Sequence, residues 1–534
     1  MFKSKQDDRF AAFRARKTIV HTNEQKAIYA KIKAMAPGGC VGIIARAGTG
    51  KTTTAVESLH HLPDWLPENK RVIYLAFGRD SAEDIKGRIP PNVEASTFHS
   101  LASKIVKPRG MNKGKLWKHA GLVISEYKLR APAVALVQKA KNLAVGIEGS
   151  PYTHELSTWV EMIQEYGIRH KNNYKPEQVA RAGMLLFDKT LEDLSEMDFD
   201  DLLYHAAKHG PGKGFRTFDA IFVDEAQDTN PTQILFLDKL LDATNNKAVL
   251  VLIGDPKQAI FGWRGAGVDA FEVMIDRYNA SVLALTTTWR CATSIVREAQ
   301  KLVPDIHARE GAPEGVVEHI TIAEFDPAQI ADGDVVLCRN NAPLMGAALE
   351  TISSGRRACV LGRDLKKVVT DTLNEILSDV YGPELRNTSY FDIAHAVITE
   401  ECGDRPVLLD KRHDDLWTAR YVWQILLKQY PDKVWRGYIH ALEDLNPMLD
   451  ALLADEKKQD KSSLIFCSIH RSKGLEWETV WYLAPELLPS RNAKKLGGWH
   501  VDQEINLDYV ARTRAKTRLV YVHDKSVLDE GDES

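Results

Sequence analysis

Short apolar runs alternate along the chain with longer segments in which apolar residues recur every three or four positions. The runs predict buried strands, and the recurring pattern predicts helices. The predicted strands are 40–44, 71–77, 218–223, 248–253, 281–285, 334–338, 464–469, 478–483 and 517–522. The predicted helices begin near residues 22, 53, 81 and 293 or span 175–191, 408–430, 434–456 and 507–515. This alternation is typical of α/β folds with parallel sheets.

Two long stretches interrupt the alternation, because they read as helices without strands between them. The predicted division is therefore into two α/β domains, each carrying a mostly helical insertion. The first domain is 1–99 with 211–280, its insertion is 100–210, the second domain is 281–364 with 461–534, and its insertion is 365–460. A chain of 534 residues is too long for one core, so several domains are expected.

Bulk composition excludes several classes of protein. No apolar run is long enough to cross a membrane, and the basic lead 1–17 lacks the apolar core of a secretory signal. The six cysteines show no CxxC spacing, which argues against zinc and against a disulfide framework. We therefore expect a reducing compartment: the cytoplasm of a bacterium or of a viral host, or the nucleus of a eukaryote. The net charge of −3 neither indicates nor excludes nucleic-acid binding.

The octet ARAGTGKT, residues 45–52, stands between a predicted strand and a predicted helix. Glycines in such a loop let backbone N–H groups point inward at phosphates, and the helix N-terminus adds its positive dipole end. Lys51 would reach the β- and γ-phosphates, and the Thr52 hydroxyl would bind Mg²⁺. Ala45 replaces the first glycine of the general pattern. The alternative is an ordinary glycine-rich turn.

Two further strands end in polar residues. Asp224 and Glu225 follow strand 218–223, and buried acids are costly unless they hold a cation or do chemistry. Asp224 would hold Mg²⁺ and Glu225 would polarise the attacking water; the alternative is an acidic helix start. Gln258 follows strand 248–253. Because ligands bind at the carboxyl ends of parallel strands, we expect these clusters to converge on one edge.

Residues 104–130 hold eight Lys and Arg residues against one acid, Glu126, with Trp117 and Tyr127 among them. Cations with interleaved aromatics suit a phosphate backbone with stacked bases; the alternative is a solvated basic surface. Near the N-terminus, TNEQ from Thr22 is a capping-box pattern. By itself Gln25 there is simply part of a helix cap, although its amide could also read an adenine edge.

Eight motifs, in this order, resemble the UvrD/Rep/PcrA group of superfamily-one helicases between residue 22 and about residue 520. They are TNEQ at Thr22, ARAGTGKT at Ala45, TFHSLA at Thr97, DEAQD at Asp224, GDPKQAIFGWRGA at Gly254, TTTWR at Thr286, IHRSKGLEW at Ile469 and YVARTRA at Tyr509. The compact size and TFHSLA also resemble the F-box helicase branch, without an F-box-like extension. The resemblance implies two RecA-like P-loop domains that sandwich ATP.

The resemblance also assigns nucleotide contacts. It implies that Gln25 reads adenine, that Trp289 stacks on adenine where the family usually has Tyr, and that Glu476 contacts the ribose. Gln258 would sense the γ-phosphate, while Arg290 and Arg514 would clamp it from the second motor domain. The phosphate-loop contacts would be Ala47, Gly48, Thr49, Gly50, Lys51, Thr52 and Thr53. The implied cofactors are ATP and Mg²⁺.

Contacts to single-stranded DNA are implied in the same way. The matching positions are Phe77, Thr97, His99, Phe261, Trp263, Arg264, His470 and Lys473. Segment 488–501 lies where the family has a strand-separating hairpin, so Gly497-Gly498 could form its turn and Trp499 or His500 could stack on the last base pair. The alternative is an ordinary surface loop with a buried Trp. Arg512 replaces a usually apolar residue, which leaves its role open.

The implied activity is that of a DNA-dependent ATPase and helicase acting on single strands and duplex junctions in replication, repair or recombination. Movement from 3′ to 5′ follows from the resemblance and from no residue here. Replication or repair proteins are possible partners. Two alternatives are an RNA helicase and a translocase that strips proteins from DNA without processive unwinding.

Overall fold

The structure is a computed structural model that forms two compact units, which divide between Thr288 and Trp289. It describes residues 21–168, 170, 174–262, 265–353, 356, 358–361, 367, 370–372, 395, 412–420 and 464–524. Each unit contains a six-stranded parallel sheet with helices between its strands, so the predicted α/β class is confirmed.

The first unit combines one parallel sheet with a group of helices. Its elements are α1 (Asn23–Lys33), β1 (Cys40–Ala45), α2 (Lys51–Ser58), β2 (Val72–Ala76), α3 (Arg79–Lys86), β3 (Val93–Thr97), α4 (Phe98–Val106), α5 (Lys115–Val123), α6 (Tyr127–Asn142), α7 (Leu156–Glu165), α8 (Pro176–Glu192), α9 (Phe199–His209), β4 (Ala220–Val223), α10 (Pro231–Asp242), β5 (Val249–Gly254), α11 (Ala270–Arg277), β6 (Ser281–Leu285) and β7 (Thr287–Thr288).

The strand order of the first sheet is β3-β2-β4-β5-β1-β6, and every pair is parallel. Strands β2, β4 and β5 are buried along their whole length, as expected for a sheet covered on both faces. Since all six strands run the same way, their carboxyl ends share one edge. That edge receives the phosphate loop after β1, the acids after β4 and the Gln258 turn after β5.

Strand β6 corrects one predicted boundary. We expected residues 281–285 to open the second domain, but β6 pairs with β1 in the first sheet, with Val41 opposite Ser281. Its residues alternate between partly buried and exposed, as at a sheet edge that is covered on one face. The chain pattern predicted the strand correctly and could not assign its sheet. The other limits of the four predicted segments stay predictions.

The helices α4 to α9 lie between β3 and β4 in the chain and contribute to one hydrophobic core, in which Trp159 is fully buried. Helix α8 matches the predicted helix 175–191 within one residue. Lys115, which we counted in a basic surface, is fully buried instead. Its ammonium donates to the carbonyls of Thr190 and Asp193, at 2.6 and 2.7 Å, and to Asp201 at 2.8 Å. Those three partners satisfy its three protons, so this charge is structural.

The second unit contains the other parallel sheet, in the order β11-β12-β10-β13-β14-β9. Its elements are, in chain order, α12 (Thr293–Gln300), β8 (His307–Ala308), β9 (Val316–Thr321), β10 (Val335–Cys338), α13 (Asn341–Ser353), β11 (Ala358–Leu361), β12 (Leu464–Ser468), α14 (Ile469–Ser472), β13 (Trp477–Leu483), α15 (Arg491–Leu496), α16 (Trp499–Arg512) and β14 (Ala515–His523).

Most of the second predicted insertion, 365–460, lies outside the described residues. Within it, residues 412–420 are helical, in agreement with the predicted helix 408–430; the predicted helix 434–456 lies outside. In the part of the chain that the structure describes, no helix combines the length and apolar character needed to cross a membrane.

Candidate functional site

The phosphate loop has the backbone that its glycines permit. Gly48 and Gly50 have φ angles of 73° and 82°, a left-handed region that favours glycine. The Thr49 hydroxyl donates to the Arg46 carbonyl at 2.8 Å and closes the loop. Helix α2 begins at Lys51 directly after Gly50. Its unpaired N–H groups therefore lie where a phosphate would bind.

Lys51 lies between the two acids that follow β4. Its ammonium donates to the Glu225 carboxylate and lies 3.7 Å from Asp224 Oδ1. Burial by itself would lower the pKa of Lys51, but the two carboxylates outweigh burial and raise it. Burial also raises the pKa of Asp224, while Lys51 opposes that rise. The two strand ends therefore bring the predicted phosphate-binding cation and the predicted metal and water ligands into one cluster.

Glu225 has a strained backbone, with a φ of 51° although it is not glycine. Its N–H donates to Asp224 Oδ1 at 3.0 Å, which fixes this conformation. Non-glycine residues held in this region are concentrated at functional sites, because surrounding contacts must offset the strain. In this conformation the Glu225 carboxylate accepts a hydrogen bond from Lys51.

Three residues that sequence analysis did not single out connect these groups. Gln227 donates to Glu225 Oε2 at 2.5 Å and accepts from the Asp255 N–H at 3.0 Å. Asp255 pairs with Arg46 of the phosphate loop at 2.8 Å and accepts from Gln258 Nε2 at 2.8 Å. The only sign of these residues in the sequence was their position inside the motifs. Their pairing could not be predicted, because it joins residues up to 209 positions apart in the chain.

Gln25 is buried and its amide contacts two parts of the first unit. Its Oε1 accepts from the Thr22 N–H at 3.0 Å, completing the capping box. Its Nε2 donates to the Thr54 hydroxyl on α2 at 3.0 Å. The helix-cap interpretation is therefore confirmed, and the contact with α2 places Gln25 beside the phosphate-loop helix. Reading of adenine stays a prediction.

Aromatic side chains gather at the same sheet edge. Phe77 follows β2 and stacks on Phe261, which follows the Gln258 turn, with ring centroids 5.7 Å apart and planes 8° apart. His99 is the second residue of α4, and its ring meets the exposed ring of Phe199 edge-on at 6.4 Å. Burial lowers the pKa of His99, which favours a neutral ring. Phe199 was not predicted from the sequence, because a residue at the start of an amphipathic helix does not reveal its exposure by pattern.

The remaining contacts predicted in the first unit give mixed results. The Thr97 hydroxyl accepts from the Ser100 N–H at 3.2 Å and caps α4, a structural role that does not test DNA binding. Trp263 and Arg264 lie outside the described residues. Thr52 and Thr53 stand in the first turn of α2, and Ala47 and Thr49 are buried in the loop.

In the second unit, Arg290, Glu476 and Arg514 lie close together. Arg290 Nε donates to Glu476 at 2.6 Å and its NH1 donates to the Thr513 carbonyl at 3.1 Å. Lys516 also pairs with Glu476 at 3.2 Å. Burial acts to raise the pKa of Glu476, but Arg290 and Lys516 outweigh it and lower this pKa. Beside this group, Trp289 is 55% exposed and could present a ring face.

Arg514 is buried, with 2% of its surface exposed. Its Nε donates to the Val510 carbonyl at 3.0 Å, and its NH1 donates to the Leu475 carbonyl at 3.1 Å. These contacts tie Arg514 to the segment between β12 and β13. The sequence predicted its grouping with Arg290 and Glu476 only through the family resemblance.

The expected strand-separating hairpin is absent from segment 488–501, and this prediction was wrong. Helices α15 and α16 occupy it, with Gly497 and Gly498 at positive φ between them. Trp499 begins α16, and its ring stacks on His500 with centroids 3.7 Å apart. A glycine pair can join two helices as well as two strands, so local sequence did not decide between them.

His470 and Lys473 lie in and after α14, at the carboxyl end of β12.

The oxygen ligands present fit a magnesium ion that is completed by phosphate and water. Asp224 and Thr52 supply hard oxygen ligands beside Lys51, and Mg²⁺ typically takes few protein ligands when it binds with a nucleotide. Among the described residues, no group of three or more His, Cys, Asp or Glu side chains could hold a metal by itself.

Comparison with known proteins places both halves of the chain in one family. The UvrD/REP helicase N-terminal domain matches residues 23–279, and the UvrD-like helicase C-terminal domain matches residues 427–526. F-box DNA helicase protein 1 of Schizosaccharomyces pombe is 23% identical over 93% of this chain and 57% of its own length. DNA helicase II of Escherichia coli is 25% identical over 52% of this chain and 40% of its own length.

A third relative, F-box DNA helicase 1 of Gallus gallus, is 30% identical over 43% of this chain and 23% of its own length. The chain thus spans only part of the curated relatives it matches. The two matched domains, the order of the motifs and the two parallel sheets with a phosphate loop agree with one another. The chain belongs to the UvrD/REP family of superfamily-one helicases.

Proposed function

We propose that this protein is a DNA-dependent ATPase that moves along single-stranded DNA and unwinds duplex DNA. One observation supports this most directly: the Lys51–Glu225 cluster and the Phe77–Phe261 stack occupy the same edge of one parallel sheet. A phosphate site and a base-stacking surface on shared strand ends give a physical route from hydrolysis to strand movement. The named relatives are helicases, which supports the same activity.

The proposed chemistry assigns one task to each side chain. When ATP binds, the Lys51 ammonium exchanges carboxylate contacts for phosphate oxygens. Glu225 is then available to accept a proton from the attacking water. Thr52 and Asp224 would hold Mg²⁺, which would neutralise charge on the phosphates. We propose that Arg290 and Arg514 stabilise charge on the transferred phosphoryl group, and that Gln25, Trp289 and Glu476 bind the nucleoside.

The proposed DNA surface begins at the Phe77–Phe261 pair. Phe77 is 37% exposed, so its ring can stack on a base while it also contacts Phe261. The exposed Lys107, Arg109, Lys113 and Lys128 stand in the basic stretch, where cations would attract the phosphate backbone. His99, His470 and Lys473 are proposed as further contacts. Replication or repair proteins are proposed partners, and the cytoplasm or the nucleus is the proposed location.

ATP turnover with different nucleic acids tests this proposal. We expect single-stranded DNA to stimulate turnover at least tenfold more than RNA of the same sequence. Lys51→Ala should abolish stimulated turnover, and Glu225→Gln should do so while ATP still binds, because only the acceptor of the water proton is lost. Glu478→Gln, which changes an acid with a 67% exposed side chain, is the matched control and should keep wild-type turnover.

The outcomes separate the alternatives. Stronger stimulation by RNA would favour an RNA helicase. Stimulation by DNA without separation of a forked duplex would favour a translocase that strips proteins from DNA. Near wild-type turnover of Glu225→Gln would contradict the assigned role of Glu225.

A further inference from the structure

A ring of polar side chains begins and ends in the phosphate loop. Lys51 contacts Glu225, Glu225 accepts from Gln227, Gln227 accepts from the Asp255 N–H, and Asp255 pairs with Arg46. The ring therefore joins the ends of β1, β4 and β5. All members of this ring belong to the first unit.

Asp255 is almost completely enclosed, with only 1% of its side chain exposed. A carboxylate that is removed from water must be paired and hydrogen-bonded. Its Oδ1 accepts from Arg46 NH1 at 2.8 Å and from the Lys257 N–H at 3.2 Å. Its Oδ2 accepts from Gln258 Nε2 at 2.8 Å. The Arg46 guanidinium thus supplies the counter-charge for the Asp255 carboxylate beside Gln258.

An ionised carboxylate accepts hydrogen bonds and cannot donate them. Gln258 must therefore turn its NH₂ group toward Asp255. The amide oxygen, Oε1, is then the atom that Gln258 offers to another donor. This orientation follows from the chemistry of the two groups and needs no observed hydrogen atom.

We infer that Arg46 is a positioning residue, which acts through Asp255 to orient the Gln258 amide so that its oxygen, and not its NH₂ group, meets the attacking water. The inference rests on the proposed ATP hydrolysis. The water has two protons, and Glu225 and Gln258 Oε1 provide two acceptors. Its oxygen lone pair is then left for the γ-phosphorus. The new O–P bond forms, the bond from the γ-phosphorus to the bridging oxygen breaks, and the proton passes to Glu225.

Asp255→Asn tests the orientation of the Gln258 amide by replacing a single carboxylate oxygen with an NH₂ group. The asparagine oxygen should stay with the two donors Arg46 and Lys257 N–H, because the opposite arrangement would place NH₂ against both. Its NH₂ group then replaces Oδ2 and faces Gln258, whose amide must turn over to offer its oxygen. We expect kcat for stimulated ATP turnover to fall at least tenfold, as when a water-positioning group is lost. KM for ATP should change by less than about threefold, because the phosphate loop is unaltered.

Arg46 variants provide an independent test in case Asp255→Asn folds poorly. Arg46→Met removes the counter-charge and should lower kcat about as much as Asp255→Asn. Arg46→Lys keeps a positive charge within reach of Asp255 and should restore most of kcat. Arg277→Met is the matched control, because Arg277 pairs with Asp238 in the same unit at 2.6 Å and contacts no member of the ring. It should keep wild-type kcat.

A positioning role predicts that kcat falls at nearly constant KM in Arg46→Met and that Arg46→Lys retains most of kcat. A loss of folded protein would instead lower the active fraction in both Arg46 variants. Wild-type kcat in both Asp255→Asn and Arg46→Met would overturn the inference while leaving the proposed function intact. A wild-type protein without nucleic-acid-stimulated ATP turnover would overturn the proposed function, and this inference with it.

Discussion

Buried charges in this protein are placed where a second charge or several hydrogen bonds meet them. Lys115 and Lys141 are both buried, and both contact the Asp201 carboxylate, at 2.8 and 2.6 Å. Each pair offsets the cost of removing its charges from water, although such pairs add little net stability to the fold. His205 nearby is different: it is buried, and its Nε2 has no hydrogen-bond partner among the described residues. A proton on that ring would therefore be poorly accommodated.

His205 should make stability depend on pH. Burial lowers the pKa of His205 to about 4, whereas an unfolded chain has about 6.5. Between these values the unfolded chain binds a proton that the folded chain does not, so the free energy of unfolding falls as the pH is lowered through this window. At pH 5 the loss should be about 2 kcal/mol. His205→Leu should remove that part of the loss.

Denaturant unfolding at pH 7.5 and pH 5.0 measures the effect. His307→Leu, at an exposed histidine, is the control and should lose as much stability as the wild type. Equal losses in His205→Leu and the wild type would show that His205 does not resist protonation.

At the scale of elements, Arg512 links helices α12 and α16. Its guanidinium forms a bidentate pair with Asp508 on α16, at 2.9 and 2.6 Å, and donates to the Glu298 carbonyl on α12 at 2.9 Å. Burial acts to lower the pKa of Arg512, but Asp508 outweighs burial and raises it. Arg290 shortly precedes α12, and Arg514 shortly follows α16. The role that sequence analysis left open is thus a bridge between the segments holding these two arginines.

Arg512→Val, which introduces an apolar residue as in the family pattern, should destabilise the protein by about 2 kcal/mol or more. The reason is that Asp508 and Glu298 lose their cation while remaining largely buried. Thermal unfolding measures the change. Arg297→Val, on the exposed face of α12, breaks a surface pair with Glu314 and should cost less than about 1 kcal/mol. Similar losses in the two variants would mean that Arg512 does not act as a bridge.

At the scale of the whole molecule, direction and strand separation are the proposed outputs. We expect unwinding to require a 3′ single-stranded tail, as the family resemblance implies.

Trp499→Ala with His500→Ala should lower unwinding while ATP turnover persists, because the stacked pair at the start of α16 is a rigid surface for a base pair. Forked duplexes with 3′ or 5′ tails measure both effects. Leu496→Ala, exposed in the same segment, is the control.

A preference for 5′ tails would contradict the direction. Equal loss of unwinding and turnover in the double variant would indicate that Trp499 supports folding, and unchanged unwinding would exclude it from strand separation.

Local chemistry determines much of this protein. Strand, loop and helix around Lys51 follow from an apolar run, left-handed glycines and a helix start that are adjacent in the chain. Asp224 and Gln258 follow buried strands, and parallel strands bring such ends together. The α/β class and the core of the phosphate site were therefore predictable from residues that are neighbours in sequence.

Tertiary structure alone decided which distant groups meet. The sheet that receives β6, the burial of Lys115 by residues more than 70 positions away, and the Arg46–Asp255 pair all depend on long-range packing. Local pattern reports whether a side chain tends to be buried or exposed. It cannot report which partner offsets the cost of burying a charge, because that partner is fixed by the order of the strands and not by position along the chain.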